Sequence, residues 1–150
     1  MLTILQGLLT PVIGLTALYI AWQQWKTNEF KLKLERYERR LRIYQEIVAI
    51  LAQVQQQFKP EIGDLQKFLS ATAEADFLFG PEIAEYRDEI FKRAVALWTA
   101  NFEYRDFTQP VPPGYDHNRV VGEMTEQHDW FVGQFAAAKQ KFQKYPNVNR

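Results

Sequence analysis

Hydrophobic and polar positions change their pattern three times along this chain, and each change predicts a different kind of element. Leu2 to Trp25 carries no charged side chain at all, and only neutral polar groups such as Gln6, Thr10 and Gln23 interrupt it. From Thr27 to Phe58 there is no Pro or Gly, and Phe30, Leu34, Tyr37, Leu41, Tyr44, Val48 and Leu51 recur by fours and threes. That alternation predicts the seam of a coiled coil or a bundle helix. A second row, Ile43, Ile47, Ile50 and Val54, joins it from Ile43 onward. Widening of the apolar face predicts that a stalk becomes a core helix there.

Three more helices are predicted downstream. Lys59-Pro60 ends the first, because the residue before proline is driven out of the α region. Glu61 to Phe79 forms the second, with Ile62, Leu65, Leu69, Thr72 and Phe79 on one face and Asp64 as an alternative cap. Gly80 is expected to stop it in a left-handed terminus, and Pro81-Glu82 to open the third. The third runs to about Asp106, burying Ile83, Tyr86, Ile90, Ala94, Leu97, Trp98 and Phe102. Thr108 to His117 reads as a loop, since Pro110, Pro112, Pro113 and Gly114 forbid regular structure. The last helix, Asn118 to Tyr145, carries Val121, Met124, His128, Phe131, Phe135, Ala138, Phe142 and Tyr145 at spacings of three and four. The expected fold is all-α: an N-terminal transmembrane helix continuing into an antiparallel bundle of about four helices. Residues 1–25 are the anchor and 26–150 the bundle domain, divided into a basic stalk (26–42) and a core (43–150).

Length decides what the first stretch can be. A hydrocarbon core of ~30 Å needs about 20 apolar residues in a helix, and Leu2–Trp25 supplies them. A cleaved signal peptide wants basic residues before the apolar run and small residues at its end. Neither is present, the run ending Ala21-Trp22-Gln23-Gln24-Trp25, so a retained anchor is expected, with a buried soluble helix as the alternative. Tyr19, Trp22 and Trp25 fall where an interfacial aromatic belt belongs. Gly7, Thr10, Gly14, Ala17 and Ala21 share one helix face, and small residues in a row let helices approach closely in lipid. Pro11 lies off this row, where a modest kink accommodates it.

Charge then sets direction. The chain is neutral overall, with 18 basic and 18 acidic residues, so no global field attracts nucleic acid. Lys26 to Arg42, however, holds seven Lys/Arg against three Glu, whereas Ile43 to Arg150 holds eleven basic against fifteen acidic residues. Basic flanks stay on the cytoplasmic side. The expected address is the inner (cytoplasmic) membrane, single-pass, with the N-terminus outside and the bundle in the cytoplasm.

Candidate chemistry is thin. There is no cysteine, which removes disulfides, thiolate nucleophiles and Cys-based metal sites, and Ser70 is the only serine. No phosphate loop or nucleophile motif occurs. His117 and His128 stand near Asp116, Glu123, Glu126 and Asp129, but the residue three before His128 is Thr125, so the Glu-x-x-His of a di-iron bundle is missing. His128 is expected to be a core histidine with a hydrogen-bond partner, and Asp76 either a buried acid or a rim residue. No catalytic, cofactor or metal residue is assigned. Phe77, Leu78 and Phe79 form either a turn closing helix two onto helix three or a partner patch.

The stretch Glu74 to Tyr86, containing Phe77-Leu78-Phe79-Gly80-Pro81-Glu82-Ile83, resembles the phenylalanine-rich turn of uncharacterised bacterial single-pass membrane-anchored helical proteins. An apolar N-terminus, a tryptophan-rich inner boundary and a basic helix after it are similar too. The resemblance covers most of the chain and implies the same architecture, without implying an activity. Three functions follow as expectations. First comes a non-enzymatic scaffold or accessory protein that self-associates or binds a protein partner. Second is a membrane-active effector that oligomerises in the bilayer, and third a metal enzyme centred on His128.

Overall fold

The computed structural model describes the backbone of residues 2–145 and the side chains of residues 11–145. It is all-α. Among the described residues the elements are α1 (Leu2–Gln57), α2 (Ile62–Ala71), α3 (Ala75–Leu78), α4 (Pro81–Glu103), α5 (His117–Val132) and α6 (Gln134–Phe142). The chain divides into two units, Met1–Glu38 and Arg39–Arg150.

The second unit is a helical bundle with one core. From α1 it takes Ile43, Ile47, Ile50, Leu51 and Val54; from α2 Leu65 and Phe68; from α4 Ile83, Tyr86, Ile90, Ala94 and Leu97. Phe131 and Ala138 come from α5 and α6. α4 is the central element and packs against α2, α3, α5 and α6. Each fully buried aliphatic or aromatic side chain of this set contributes about 1.5–3 kcal/mol relative to exposure. The apolar row of α1 that enters the core is therefore the second one. Of the seam in this unit, Leu51 is buried and Tyr44 and Val48 are half-buried, while Leu41 stays exposed.

Local boundaries correct several expectations. α1 ends at Gln57, and Phe58 takes the left-handed conformation (φ 54°) that glycine usually supplies. Its carbonyl accepts from Asn101 Nδ2 at 3.0 Å, and its ring stacks on His128 at 4.2 Å. The expected second helix is two helices. Thr72 closes α2 by donating both its N–H and its hydroxyl to the Phe68 carbonyl, and is itself buried. Glu61, not Asp64, is the N-cap of α2; Asp64 instead accepts from Gln53 of α1 and pairs with Lys67. Gly80 is extended (φ −73°, ψ 169°) and serves as the N-cap of α4, with Pro81 in its first turn. A side chain is excluded there by close approach, because a Cβ would run into the Glu82 carboxylate and come within 3.0 Å of the Tyr145 hydroxyl.

The remaining helices are shorter than the periodicity predicts. α4 stops at Glu103, leaving Phe102 exposed, and Arg105 turns back to donate to the Phe102 and Tyr104 carbonyls at 2.9 Å each. Asp116 caps α5 by accepting from the Arg119 N–H at 3.1 Å. The last helix breaks at Gly133 into α5 and α6. Its buried face on α5 is Val120, Gln127 and Phe131, one position ahead of the expected Val121 and His128. Arg93 of α4 makes that register possible. It donates to Gln127 Oε1 at 3.2 Å, pairs with Glu89 at 2.6 Å and lies over the Trp130 ring at 5.0 Å.

Candidate functional site

The unit Met1–Glu38 has the opposite surface. Among its described side chains, Val12, Ile13, Leu15, Leu18, Tyr19, Ile20, Trp22 and Trp25 are all more than half exposed. At about 100° per residue these positions cover roughly two thirds of the helix circumference. The sector left over holds Gly14, Ala17 and Ala21, and a Cβ added at Gly14 would meet nothing within 4 Å. Gly7 and Thr10 of the same expected face lie outside the described side chains. Thr16 donates its hydroxyl to the Val12 carbonyl at 2.8 Å and Thr27 to the Gln23 carbonyl at 2.9 Å, so these hydroxyls need no water.

The C-terminal edge of this surface is aromatic and then charged. Tyr19 and Trp22 lie 6.3 Å apart, and the Lys26 ammonium sits 4.4 Å from the centroid of the Trp22 ring. Lys33 pairs with Glu29 at 3.2 Å one turn further on. Among the described residues no helix is long and apolar enough to cross a membrane; residues 2–10 of the expected span lie outside the described side chains. Phe30 and Leu34 are exposed and Tyr37 is half-buried. On a straight helix these three lie about half a turn from Gly14, Ala17 and Ala21. One straight neighbouring helix cannot cover both faces.

In the bundle unit, the phenylalanine-rich turn splits between two environments. Phe77 is 89% exposed, whereas Leu78 and Phe79 pack on the core. Phe79 meets Phe142 and Tyr145 edge-on at 5.1 Å and 4.8 Å. Arg40 lies over the rings of Phe79 and Tyr145 and donates its Nε–H to the Leu78 carbonyl at 2.9 Å. So the turn closes α3 onto α4 and α6, and of its three residues only Phe77 faces solvent.

Two polar clusters escaped sequence reasoning. Arg87 of α4 is buried, pairs with Asp76 at 3.3 Å and Asp88 at 2.8 Å, and donates to the Thr72 carbonyl at 3.3 Å. Burial disfavours its charge, and the two carboxylates outweigh that, so its pKa is raised. Asp76 is thereby a half-exposed partner of a buried arginine. Tyr145, the last described residue, donates to Glu82 Oε1 at 2.7 Å and accepts from the Gly80 N–H at 2.7 Å. The Tyr145 hydroxyl holds the Glu82 carboxyl below its usual range, and desolvation together with that carboxylate raises Tyr145. Both clusters join residues distant in sequence, which no local motif announces.

The histidines occupy one end of the bundle. His128 is partly buried against Phe58, its Nδ1 being 3.9 Å from Asp129. With Phe58, Leu97, Tyr104, Val121, Met124 and Thr125 it lines an open apolar groove of about 350 Å³. His117 lies among Tyr104, Phe107 and Tyr115, with Nδ1 3.3 Å from the Tyr115 hydroxyl. Among the described residues no three His, Asp or Glu side chains converge as metal ligands would.

No family model, curated protein or solved structure matches this chain. The functional reading therefore rests on its own geometry.

Proposed function

We propose that this chain is a single-pass membrane-anchored scaffold that holds a helical bundle at the inner face of the cytoplasmic membrane and self-associates or binds a protein partner there. One observation carries the reading: from Val12 to Trp25, large apolar side chains project from most of the helix circumference into open space. A single protein partner covers one stripe of a helix, whereas lipid covers all of it. The Trp22–Lys26 contact places an aromatic ring and a cation together where the apolar stretch ends, as expected at a headgroup boundary. A scaffold role is supported by the way the bundle uses its buried polar groups. Thr72, Arg87 and Gln127 each bond to neighbouring helices or their own turn, which shapes the fold and leaves them no substrate-facing role.

The test is alkaline carbonate extraction of membranes followed by cysteine accessibility in the otherwise cysteine-free chain. Full-length protein should stay in the membrane pellet. Ser70→Cys should react with a membrane-impermeant maleimide only after the cells are opened, and Thr3→Cys before. Release of the wild-type chain into the carbonate supernatant would refute the anchor, and labelling of Ser70→Cys in intact cells would refute the orientation.

A further inference from the structure

Where the apolar stretch ends, one face of α1 is built in layers. Ile20, Gln23, Gln24, Thr27, Asn28 and Lys31 stand three and four apart, so they share that face, and they line an open groove of about 430 Å³ along it. At 1.5 Å per residue the face runs about 16 Å, from an aliphatic side chain through three amides to a cation. Helical side chains lean toward the N-terminus of their helix, so the Lys31 ammonium reaches back toward the amides. Trp22, Lys26, Glu29 and Lys33 stand on the far side of the helix, where Lys26 covers the Trp22 ring and Lys33 pairs with Glu29.

The polar groups of the groove are not engaged by protein. All six lining residues are exposed. Thr27 turns its hydroxyl inward to the Gln23 carbonyl at 2.9 Å. Among the described residues the amides of Gln23, Gln24 and Asn28 bond to no other protein group, and Lys31 pairs with no carboxylate.

A phospholipid presents matching chemistry in the same order: acyl chain, ester carbonyls, phosphate. With an anchor whose apolar stretch ends at Trp25, Ile20 meets the acyl chain, and the amide N–H groups of Gln24 and Asn28 donate to ester and phosphate oxygens. Lys31 then neutralises the phosphodiester in a charge-assisted hydrogen bond. A choline headgroup would bring a second cation against Lys31, whereas a neutral glycerol headgroup leaves the phosphodiester charge to it.

We infer that this face binds one phospholipid of net negative charge, of the phosphatidylglycerol type. The inference rests on the proposed anchor and names the lipid that its charged edge selects.

The test uses the full-length chain reconstituted into vesicles of equal phosphatidylglycerol and phosphatidylcholine, floated on a density gradient, then released into mild detergent for native mass spectrometry of the lipid it retains. The wild-type chain should float and retain phosphatidylglycerol about fivefold more often than phosphatidylcholine, the preference that one lysine near an anionic surface confers. Lys31→Gln should bring the two lipids to near parity. Asn28→Leu, which leaves the charge unchanged, should lower the retained phosphatidylglycerol severalfold. Lys26→Gln removes the same charge as Lys31→Gln, closer to the apolar stretch but on the far side of the helix, and should leave the preference nearly intact. Equal retention of both lipids by the wild-type chain overturns the site. So does a preference lost in Lys26→Gln and untouched by Asn28→Leu, which is the signature of diffuse attraction to a charged surface. In both cases the chain still floats and the anchor stands. A wild-type chain left at the bottom of the gradient overturns the anchor, and the lipid site with it.

Discussion

Leu15 and Leu97 carry the same side chain and meet opposite surroundings, Leu15 being 68% exposed and Leu97 1% exposed. Around Leu97, the helices of the bundle unit turn apolar stripes inward, so each stripe is covered by the others. Around Leu15 the apolar residues leave no polar side to face water. Apolar content alone therefore does not build a protein core; it builds one only where it is confined to a stripe. The region 12–25 lacks that confinement, and the proposed anchor takes a bilayer as the solvent for it.

The largest effects should come from the bundle core, and they distinguish the two regions most sharply. Phe131→Ala, at a fully buried position, should destabilise the bundle by about 3–5 kcal/mol, and Ile47→Ala by about 2–5 kcal/mol. Denaturant unfolding of detergent-solubilised protein followed by circular dichroism measures both. Leu15→Ala in the same assay should stay within about 0.5 kcal/mol, as substitutions without buried contacts do. A large loss from Leu15→Ala would mean that the exposed helix is covered by protein after all.

Charge introduced into the exposed region is the next test. Leu18→Arg should cost membrane insertion about 2.5–3.5 kcal/mol at the centre of a span and shift protein out of the carbonate-resistant pellet. Unfolding of the bundle should be unaffected. If Leu18→Arg leaves partitioning intact, the contrast between the two regions loses its lipid explanation.

Arg87 offers a smaller effect inside the bundle. Arg87→Leu removes a buried cation whose partners Asp76 and Asp88 are half-exposed or more, so water can take over both carboxylates. The Thr72 carbonyl keeps the Ala75 N–H as a donor at 3.0 Å and loses only the longer bond from Arg87, so the cost in unfolding free energy should be about 1 kcal/mol or less.

Titration gives the finest test. Burial pushes the Tyr86 hydroxyl up to about 12. A phenol whose folded pKa is raised stabilises the fold below its ordinary value near 10, and that contribution is lost as pH rises towards about 12. Alkaline unfolding should therefore coincide with the late tyrosinate absorbance step, and Tyr86→Phe should remove that step. Glu82 has the opposite sign, because its carboxyl is lowered chiefly by the Tyr145 hydroxyl. Its contribution is present above the ordinary carboxyl pKa and is lost as pH falls through the depressed one. Tyr145→Phe should cost about 1 kcal/mol or less at neutral pH and flatten the acid limb of the stability profile.

Much of the bundle was legible in the sequence because helices announce themselves locally. Pro81 at the start of α4, the proline-rich loop after it, and the rows Ile43-Ile47-Ile50-Val54 and Ile83-Tyr86-Ile90-Ala94-Leu97 all depend on residues within a few turns of one another. Errors of one position, such as Val120 and Gln127 in place of Val121 and His128, arose where two adjacent rows were both apolar enough to face inward. Arg93 on α4 and Phe58 just past the end of α1 chose between them, and both act from outside α5.

The candidate surfaces divide in the same way. The charge-free stretch, the aromatic edge and the basic flank are properties of consecutive residues, so the sequence by itself determined them. It also determined that the chain is helical throughout its periodic segments. Only the tertiary structure decided that Phe79 is taken by Tyr145 and Arg40, that Phe77 is left outside, that Arg87 is the cation Asp76 answers to, and that the last helix breaks at Gly133. Each of these depends on how one helix meets another, from 11 residues apart for Asp76 and Arg87 upward, and such contacts are set by how helices pack.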